Sequence, residues 1–328
     1  MLNFKRVPPI LTPDELLDIA FRRAAKAGKE ARSKEVRRPF KVKKGEDAKV
    51  KVASQEVMGN FKRIVNRTSE IYELSPFYRE LIAAIVDIEE FKRSLSALKW
   101  VMKTSEELEK KYRYKIRTSR KKEDFYRHTK TFYGQLSSIL RKIKGELRFL
   151  AESREKLKNL PTVEDTFTAV IAGAPNVGKS TLLKAMTSAE PRVESYPFTT
   201  QKLLLGYFER HYYRYQVIDT PGLLDRPLKD RSPIELQGIL ALKYLADMVL
   251  FVFDPSETCG FLIDSQINLY RDIKERFEVK VVPVLNKADH SSGKKVSKLL
   301  DESISCSALS GEGVGDVIDE IVSSRAEG

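Results

Sequence analysis

The run Gly173-Ala-Pro-Asn-Val-Gly178-Lys179-Ser180 limits what this chain can fold into more than any other stretch. It follows an apolar segment, Phe167–Ala172, and leads into a helical pattern opening at about Lys179. A strand, a glycine-bounded loop and a helix in that order make a cradle for phosphate. The glycines let backbone N–H groups wrap the oxygens, and the helix N-terminus adds positive potential. Lys179 then brings charge to the β- and γ-phosphate oxygens, and the Ser180 hydroxyl is the expected ligand of Mg2+. Gly173, Ala174, Pro175, Asn176, Val177, Gly178, Lys179, Ser180 and Thr181 are therefore the expected phosphate-binding residues, with Lys179 also expected to act in catalysis.

Three further motifs follow in order. Asp219-Thr-Pro-Gly222 closes the strand Tyr215–Ile218; the aspartate is placed to hold Mg2+, and the Gly222 N–H to sense the γ-phosphate. Asn286-Lys287-Ala288-Asp289 follows the apolar run Val281–Leu285 and decides the base. The Asp289 carboxylate is acceptor-only, so it can take two hydrogen bonds from the ring N–H and the exocyclic amine of guanine. Adenine presents an acceptor nitrogen there and is mismatched. Ser305-Cys-Ser307-Ala308 lies where a backbone N–H, that of Ala308, can meet the guanine carbonyl. Between the first two motifs, Tyr196-Pro-Phe-Thr199-Thr200 offers a threonine that closes on Mg2+ and the γ-phosphate as a first switch. Thr200 is the favoured one, and it completes the expected metal set with Ser180 and Asp219.

Around these motifs, apolar β-runs at 166–172, 202–209, 213–218, 247–253, 279–285 and 303–307 alternate with helical segments. This predicts a Ras-like P-loop GTPase domain over 161–328: an α/β fold with a mostly parallel six-stranded sheet covered on both faces. The pair 202–209 and 213–218, joined near Arg210-His211, reads as an antiparallel hairpin on that sheet.

Residues 1–160 have a different character. Thr12-Pro13-Asp14-Glu15 is a capping box opening a helix that stops near Gly28. Residues 29–51, dense in Lys and Arg with Pro39 and Gly45 as breakers, read as an extended or mobile basic segment. Helical stripes follow: Val57 to Tyr72, then Phe77 to Ile85 after Ser75-Pro76, then about 88–113 and about 122–158. They predict an all-α bundle of three or four main helices, joined to the second domain through Asn159-Leu-Pro-Thr162. Charge separates the halves sharply. Residues 1–160 hold 40 Lys and Arg against 22 Asp and Glu, a net +18, whereas the remainder holds 19 against 24, a net −5. An excess confined to one domain implies a polyanionic partner for the bundle, nucleic acid above all.

The complete set of motifs resembles one family. Gly-Ala-Pro-Asn-Val-Gly-Lys-Ser-Thr, Tyr-Pro-Phe-Thr-Thr and Asp-Thr-Pro-Gly-Leu-Leu are similar to the Obg-like branch of translation-factor GTPases. Asp219 to Arg231 with Ile234-Glu235, Asp254-Pro-Ser-Glu-Thr-Cys-Gly260, Ser75-Pro-Phe-Tyr78 and the start Asn3-Phe-Lys-Arg-Val-Pro-Pro9 narrow the resemblance to the nucleolar GTP-binding protein (Nog) family. Eukaryotic members carry a long C-terminal extension; this chain looks more like an archaeal form without it. The resemblance implies GTP binding and hydrolysis to GDP in large ribosomal subunit assembly. It also implies binding to ribosomal RNA and the large-subunit precursor, which agrees with the basic charge of residues 1–160.

Leu223 stands where a water-positioning glutamine often follows such a motif, so slow intrinsic hydrolysis is expected. Asn176 is the candidate holder of an accelerating K+, a feature of some related GTPases. The competing readings are an RNA-binding scaffold that keeps GTP as a structural ligand with negligible turnover, and a GTPase at an anionic membrane surface. The second is disfavoured because the basic helices show no apolar face beyond the bundle core. Cys259 and Cys306 have no metal-ligand spacing and read as reduced thiols, and no secretory signal or spanning segment is evident. A cytoplasmic monomer is expected.

Overall fold

The structure, a computed structural model, describes residues 7–33, 38–69, 75–196, 202–221, 224–225, 239, 242–290 and 303–327. They form two compact units, one from residues 1–74 and 85–158, the other from residues 75–84 and 159–328. In chain order the helices and strands are α1 (Pro13–Ser33), α2 (Arg38–Ser69), α3 (Pro76–Ile85), α4 (Ile88–Thr118), α5 (Lys122–Lys142), α6 (Lys144–Leu157), β1 (Thr168–Ala172), α7 (Lys179–Met186), β2 (Arg192–Ser195), β3 (Lys202–Arg210), β4 (Tyr213–Asp219), β5 (Met248–Phe253), α8 (Ile263–Arg276), β6 (Lys280–Leu285), β7 (Ile304–Ser305) and α9 (Val314–Glu327).

The first unit is helical. Helix α1 opens with the expected capping box: the Thr12 N–H donates to Glu15 Oε2 at 2.9 Å, and the Glu15 N–H to Thr12 Oγ1 at 3.3 Å. Its buried face carries Leu16, Leu17, Ala20 and Ala24. The core continues through Val57, Phe61 and Ile64 of α2, Leu98 and Val101 of α4, and Phe132 and Leu136 of α5, all essentially inaccessible to solvent. Burying such a side chain contributes about 1.5–3 kcal/mol, so packing of these stripes, more than helix propensity, fixes the helices.

The basic stretch 29–51 departs from expectation. Helix α1 runs past Gly28 to Ser33, and α2 is already formed from Arg38. The glycines that suggested breaks are points of close helix approach. A Cβ on Gly28 would lie 3.0 Å from the Gly45 carbonyl oxygen, and one on Gly45 would lie 2.5 Å from Arg32 Nε. Pro39 falls in the first turn of α2, where a missing N–H breaks no helical hydrogen bond. Some of the charge is also paired inside: the buried Glu46 carboxylate takes Arg32 Nη2 at 2.6 Å and Lys49 Nζ at 2.7 Å. The expected helix 122–158 is divided at Ile143, whose N–H donates to the Leu140 carbonyl at 3.3 Å, an i−3 bond of tighter pitch. Ile71 and Tyr72, expected to extend the second helix, lie outside the described residues.

The second unit is a seven-stranded sheet in the order β2-β3-β4-β1-β5-β6-β7. Strands β4, β1, β5, β6 and β7 are mutually parallel, while β2, β3 and β4 pair antiparallel. Strands β1 and β5 are buried at every position, as a parallel strand covered on both faces requires. The α/β Ras-like P-loop GTPase fold is as expected, with one strand more than the six read from sequence. That strand, β2, is a short edge strand with three of its four residues exposed, so it carries no apolar alternation to betray it. The β3–β4 hairpin turns through His211 and Tyr212, both at positive φ (51° and 67°), the backbone twist a two-residue hairpin turn needs.

Residues 75–84, expected in the bundle, group instead with the sheet unit. Within that unit the Tyr78 hydroxyl donates to the Pro161 carbonyl at 3.0 Å and accepts the Val163 N–H at 3.1 Å, tying α3 to the segment that leads into β1.

Candidate functional site

Among the described residues, the phosphate loop, Asp219, Asn286–Asp289 and Ser305–Ala308 meet at the carboxyl end of the sheet. The phosphate loop follows β1, Asp219 ends β4, Asp254 follows β5, Asn286 follows β6 and Ser307 follows β7. These five strands are parallel, so their carboxyl ends bring the loops together, the usual place for a ligand in an open α/β sheet.

The phosphate loop has its shape from three positive φ values: 139° at Gly173, 62° at Asn176 and 99° at Gly178. At Gly173 a Cβ would fall 2.4 Å from the Val252 carbonyl oxygen, and at Gly178 one would fall 2.2 Å from Asn286 Nδ2, so both positions exclude a side chain. Lys179 opens α7 and folds back over the loop, donating to the Gly173 and Ala174 carbonyls at 2.8 Å each. Burial pushes its ammonium below the ordinary lysine value, with Asp219 opposing.

The Ser180 hydroxyl donates to Asp219 Oδ2. Asp219 Oδ1 is buried and has no hydrogen-bond partner among the described residues. Burial raises the Asp219 carboxyl above its ordinary value, opposed by the Ser180 hydroxyl and the Lys179 charge. A buried carboxylate oxygen without a donor, beside a hydroxyl, is a donor set of hard oxygens that suits Mg2+. The third expected ligand, Thr200, lies outside the described residues, as do Thr199, Gly222 and Leu223.

Asn286 joins three of the loops. Its Nδ2 donates to the Val177 carbonyl at 2.8 Å and its Oδ1 accepts the Ala308 N–H at 2.9 Å. This differs in one respect from the sequence reading: the Ala308 N–H, expected to meet the guanine carbonyl, is engaged by Asn286. Lys287, at φ 60°, turns toward the loop after β5, giving hydrogen bonds to Asp254 Oδ2 at 2.6 Å and Thr258 Oγ1 at 2.8 Å. Burial alone raises the Asp254 carboxyl, but donors from Lys287, Ser256, Cys259 and Thr258 outweigh it and hold its pKa down at about 2. The Asp289 carboxyl is also held below its usual range, first by a hydrogen bond from Ser307. It stays ionised and acceptor-only at neutral pH.

These residues enclose a cavity of about 360 Å³ lined by Asn176, Gly178, Thr181, Asn286, Lys287, Asp289, Ser307 and Ala308, together with Thr258, His290 and Leu309. The last three were not anticipated. Leu309 and His290 simply follow residues that were. Thr258 lies in the Asp254–Gly260 run, which the sequence marked only as a family signature; its structural part is to anchor Lys287. Pro175 and Val177 complete the loop, Val177 buried beneath it. Such a cavity can take a planar ring against the Lys287 stem, offer Asp289 to ring and amine N–H groups, and present the loop N–H groups to phosphates. Among the described residues, no helix is long and apolar enough to cross a membrane.

Comparison with known proteins identifies relatives of this chain. Residues 4–164 match the NOG1 N-terminal helical domain, and residues 233–289 match the nucleolar GTP-binding protein 1 (NOG1) model. An uncharacterized Methanocaldococcus jannaschii protein is 45% identical over 286 residues, covering 87% of this chain and 81% of that one. Nucleolar GTP-binding protein 1 of Saccharomyces cerevisiae is 32% identical over 294 residues, which span 88% of this chain but 45% of the yeast protein. A crystal structure of a candidate nucleolar GTP-binding protein 1 from Plasmodium falciparum aligns at 34% identity and a TM-score of 0.44, covering 51% of this chain and 93% of that one. From the two matched models and the two relatives by sequence, the chain belongs to the nucleolar GTP-binding protein family.

Proposed function

We propose that this chain binds GTP and GDP with Mg2+, hydrolyses GTP slowly, and works as a switch in large ribosomal subunit assembly. The observation that carries the nucleotide part is Asn286, whose one side chain pins the phosphate loop to the loop after β7 beside an ionised Asp289. Mg2+, when bound, neutralises charge on the β- and γ-phosphates. The chain's own residues supply the rest: loop N–H groups and Lys179 hold the phosphates, Ser180 and Asp219 offer the metal its oxygens, and Asp289 selects guanine. With Leu223 in place of a water-orienting glutamine, turnover depends on something added, either K+ at Asn176 or a group from the ribosomal particle.

The basic unit supports a second element of the reading, contact with ribosomal RNA and the large-subunit precursor. A net charge of +18 on residues 1–160 against −5 on the rest suits a polyphosphate partner on the first part alone. The protein would act as a cytoplasmic monomer. Single-turnover GTP hydrolysis, in KCl and in NaCl, with and without purified large subunits, tests the proposal. Stimulation by the particle supports the switch. Tight GTP binding with no turnover under any of these conditions would leave the nucleotide as a structural ligand and refute it.

A further inference from the structure

A basic cavity lies in the helical unit, far in sequence from the nucleotide motifs. It measures about 770 Å³, within the roughly 300–1,000 Å³ of cavities that take organic ligands. Two aromatic rings, Phe40 and Phe125, line it with Lys41, Lys43, Arg120 and Lys122. No acidic side chain among the described residues lines it. These four cations form no ion pair among the described residues, whereas Arg32, also on the wall, is committed to Glu46. Lys43 Nζ stands 5.6 Å from the Phe125 ring centroid, a cation held on an aromatic face. The first turns of α2 and α5 both border the cavity; that of α2 holds no acidic residue, whereas that of α5 carries Glu123 and Asp124, which do not line the cavity, Asp124 being paired with Arg127.

Phe125 is buried in the bundle and Phe40 is exposed, so one accessible ring among cations that form no ion pair among the described residues faces the cavity, and that matches one chemistry well. Bases stack on aromatic faces while phosphates between them meet Lys and Arg; the cations suit any polyphosphate, but the ring does not suit a duplex, whose bases are already stacked. We propose that this cavity receives an unpaired segment of RNA, bases against Phe40 and phosphates against Lys41, Lys43, Arg120 and Lys122. The proposal rests on the RNA-binding reading of residues 1–160 and adds to it a place and a strand preference.

Fluorescence anisotropy of the full chain, with a short labelled oligouridylate and with duplex RNA of equal length, tests it. Phe40 is 49% exposed, so Phe40→Ala leaves the fold intact, which GDP binding and thermal melting verify. Loss of one stacking platform should weaken the single strand about tenfold or more and the duplex less than twofold. Arg120→Ala should flatten the salt dependence of single-strand binding by about 0.7 in log–log slope, the contribution of one phosphate contact. If Phe40→Ala leaves single-strand affinity unchanged while RNA still binds, the cavity is not the site and the general basic-surface reading survives. If the unmodified chain binds neither RNA, both fail. If Phe40→Ala instead abolishes binding to phosphatidylglycerol vesicles and spares RNA, the cavity faces lipid and the proposal is wrong.

Discussion

Glycine answers to different physics in the two units. In the sheet unit, Gly173 and Gly178 are demanded by their own backbone, at φ 139° and 99°, and by neighbours that leave no room for a Cβ. In the helical unit, Gly28 and Gly45 lie within ordinary helix; Gly28 is demanded by the Gly45 carbonyl of the helix crossing it, and Gly45 faces the Arg32 side chain from that crossing. The first demand is local and is written in a short motif. The second is tertiary and leaves no local mark, which is why a sequence reading takes those two residues for breakers. The contrast extends to function: the nucleotide loops are fixed by backbone conformation, whereas the basic cavity is assembled from four separate helix ends.

Substitutions break this contrast at different points. The largest effect is expected from Gly178→Ala, which combines a strained φ with a Cβ 2.2 Å from Asn286 Nδ2. GDP affinity by calorimetry should fall about 100-fold, the equivalent of roughly 3 kcal/mol of strain and displacement. Asn286→Ala comes next. It strands the Val177 carbonyl and the Ala308 N–H, each at about 1 kcal/mol, so the melting temperature should drop even without nucleotide. A variant that lost affinity but kept its stability would show that Asn286 touches ligand without bracing the loops.

The smallest effects sharpen the helical side. Gly28→Ala sets a methyl against the Gly45 carbonyl and Lys49 and should destabilise by about 1–2 kcal/mol in chemical denaturation. Gly134→Ala, in α5 with nothing within 4 Å of the added Cβ, should stabilise by about 0.5–1 kcal/mol. Opposite signs for two identical changes in the same unit are the signature of a packing demand. Equal signs would return Gly28 to the status of a simple breaker.

Much of the nucleotide site was legible because its residues must occur at fixed offsets from strand ends. Gly173 to Ser180, Asp219 and Asn286 to Asp289 are found where their motifs place them, at the carboxyl ends of parallel strands. What was not legible depends on contacts between loops distant in sequence. The Ala308 N–H is taken up by Asn286, 22 residues earlier, and Thr258 is brought to the cavity by Lys287, 29 residues later. Edge strand β2 escaped because an exposed strand has no alternation to read, and α3 groups with the sheet unit, where the Tyr78 hydroxyl bonds Pro161 and Val163. In the bundle, apolar stripes gave the helices, but their lengths followed from crossings such as Gly28 on Gly45.

The central claim is that three loops around Asn286 and Asp289 make a guanine site, and nucleotide competition on the full chain tests it most directly. Calorimetry should show GDP binding, ADP failing to compete, and Asp289→Asn exchanging GDP for xanthosine diphosphate, whose C2 carbonyl accepts the new amide donor. Equal binding of ADP and GDP, or a preference for GDP that survives Asp289→Asn, would contradict the account.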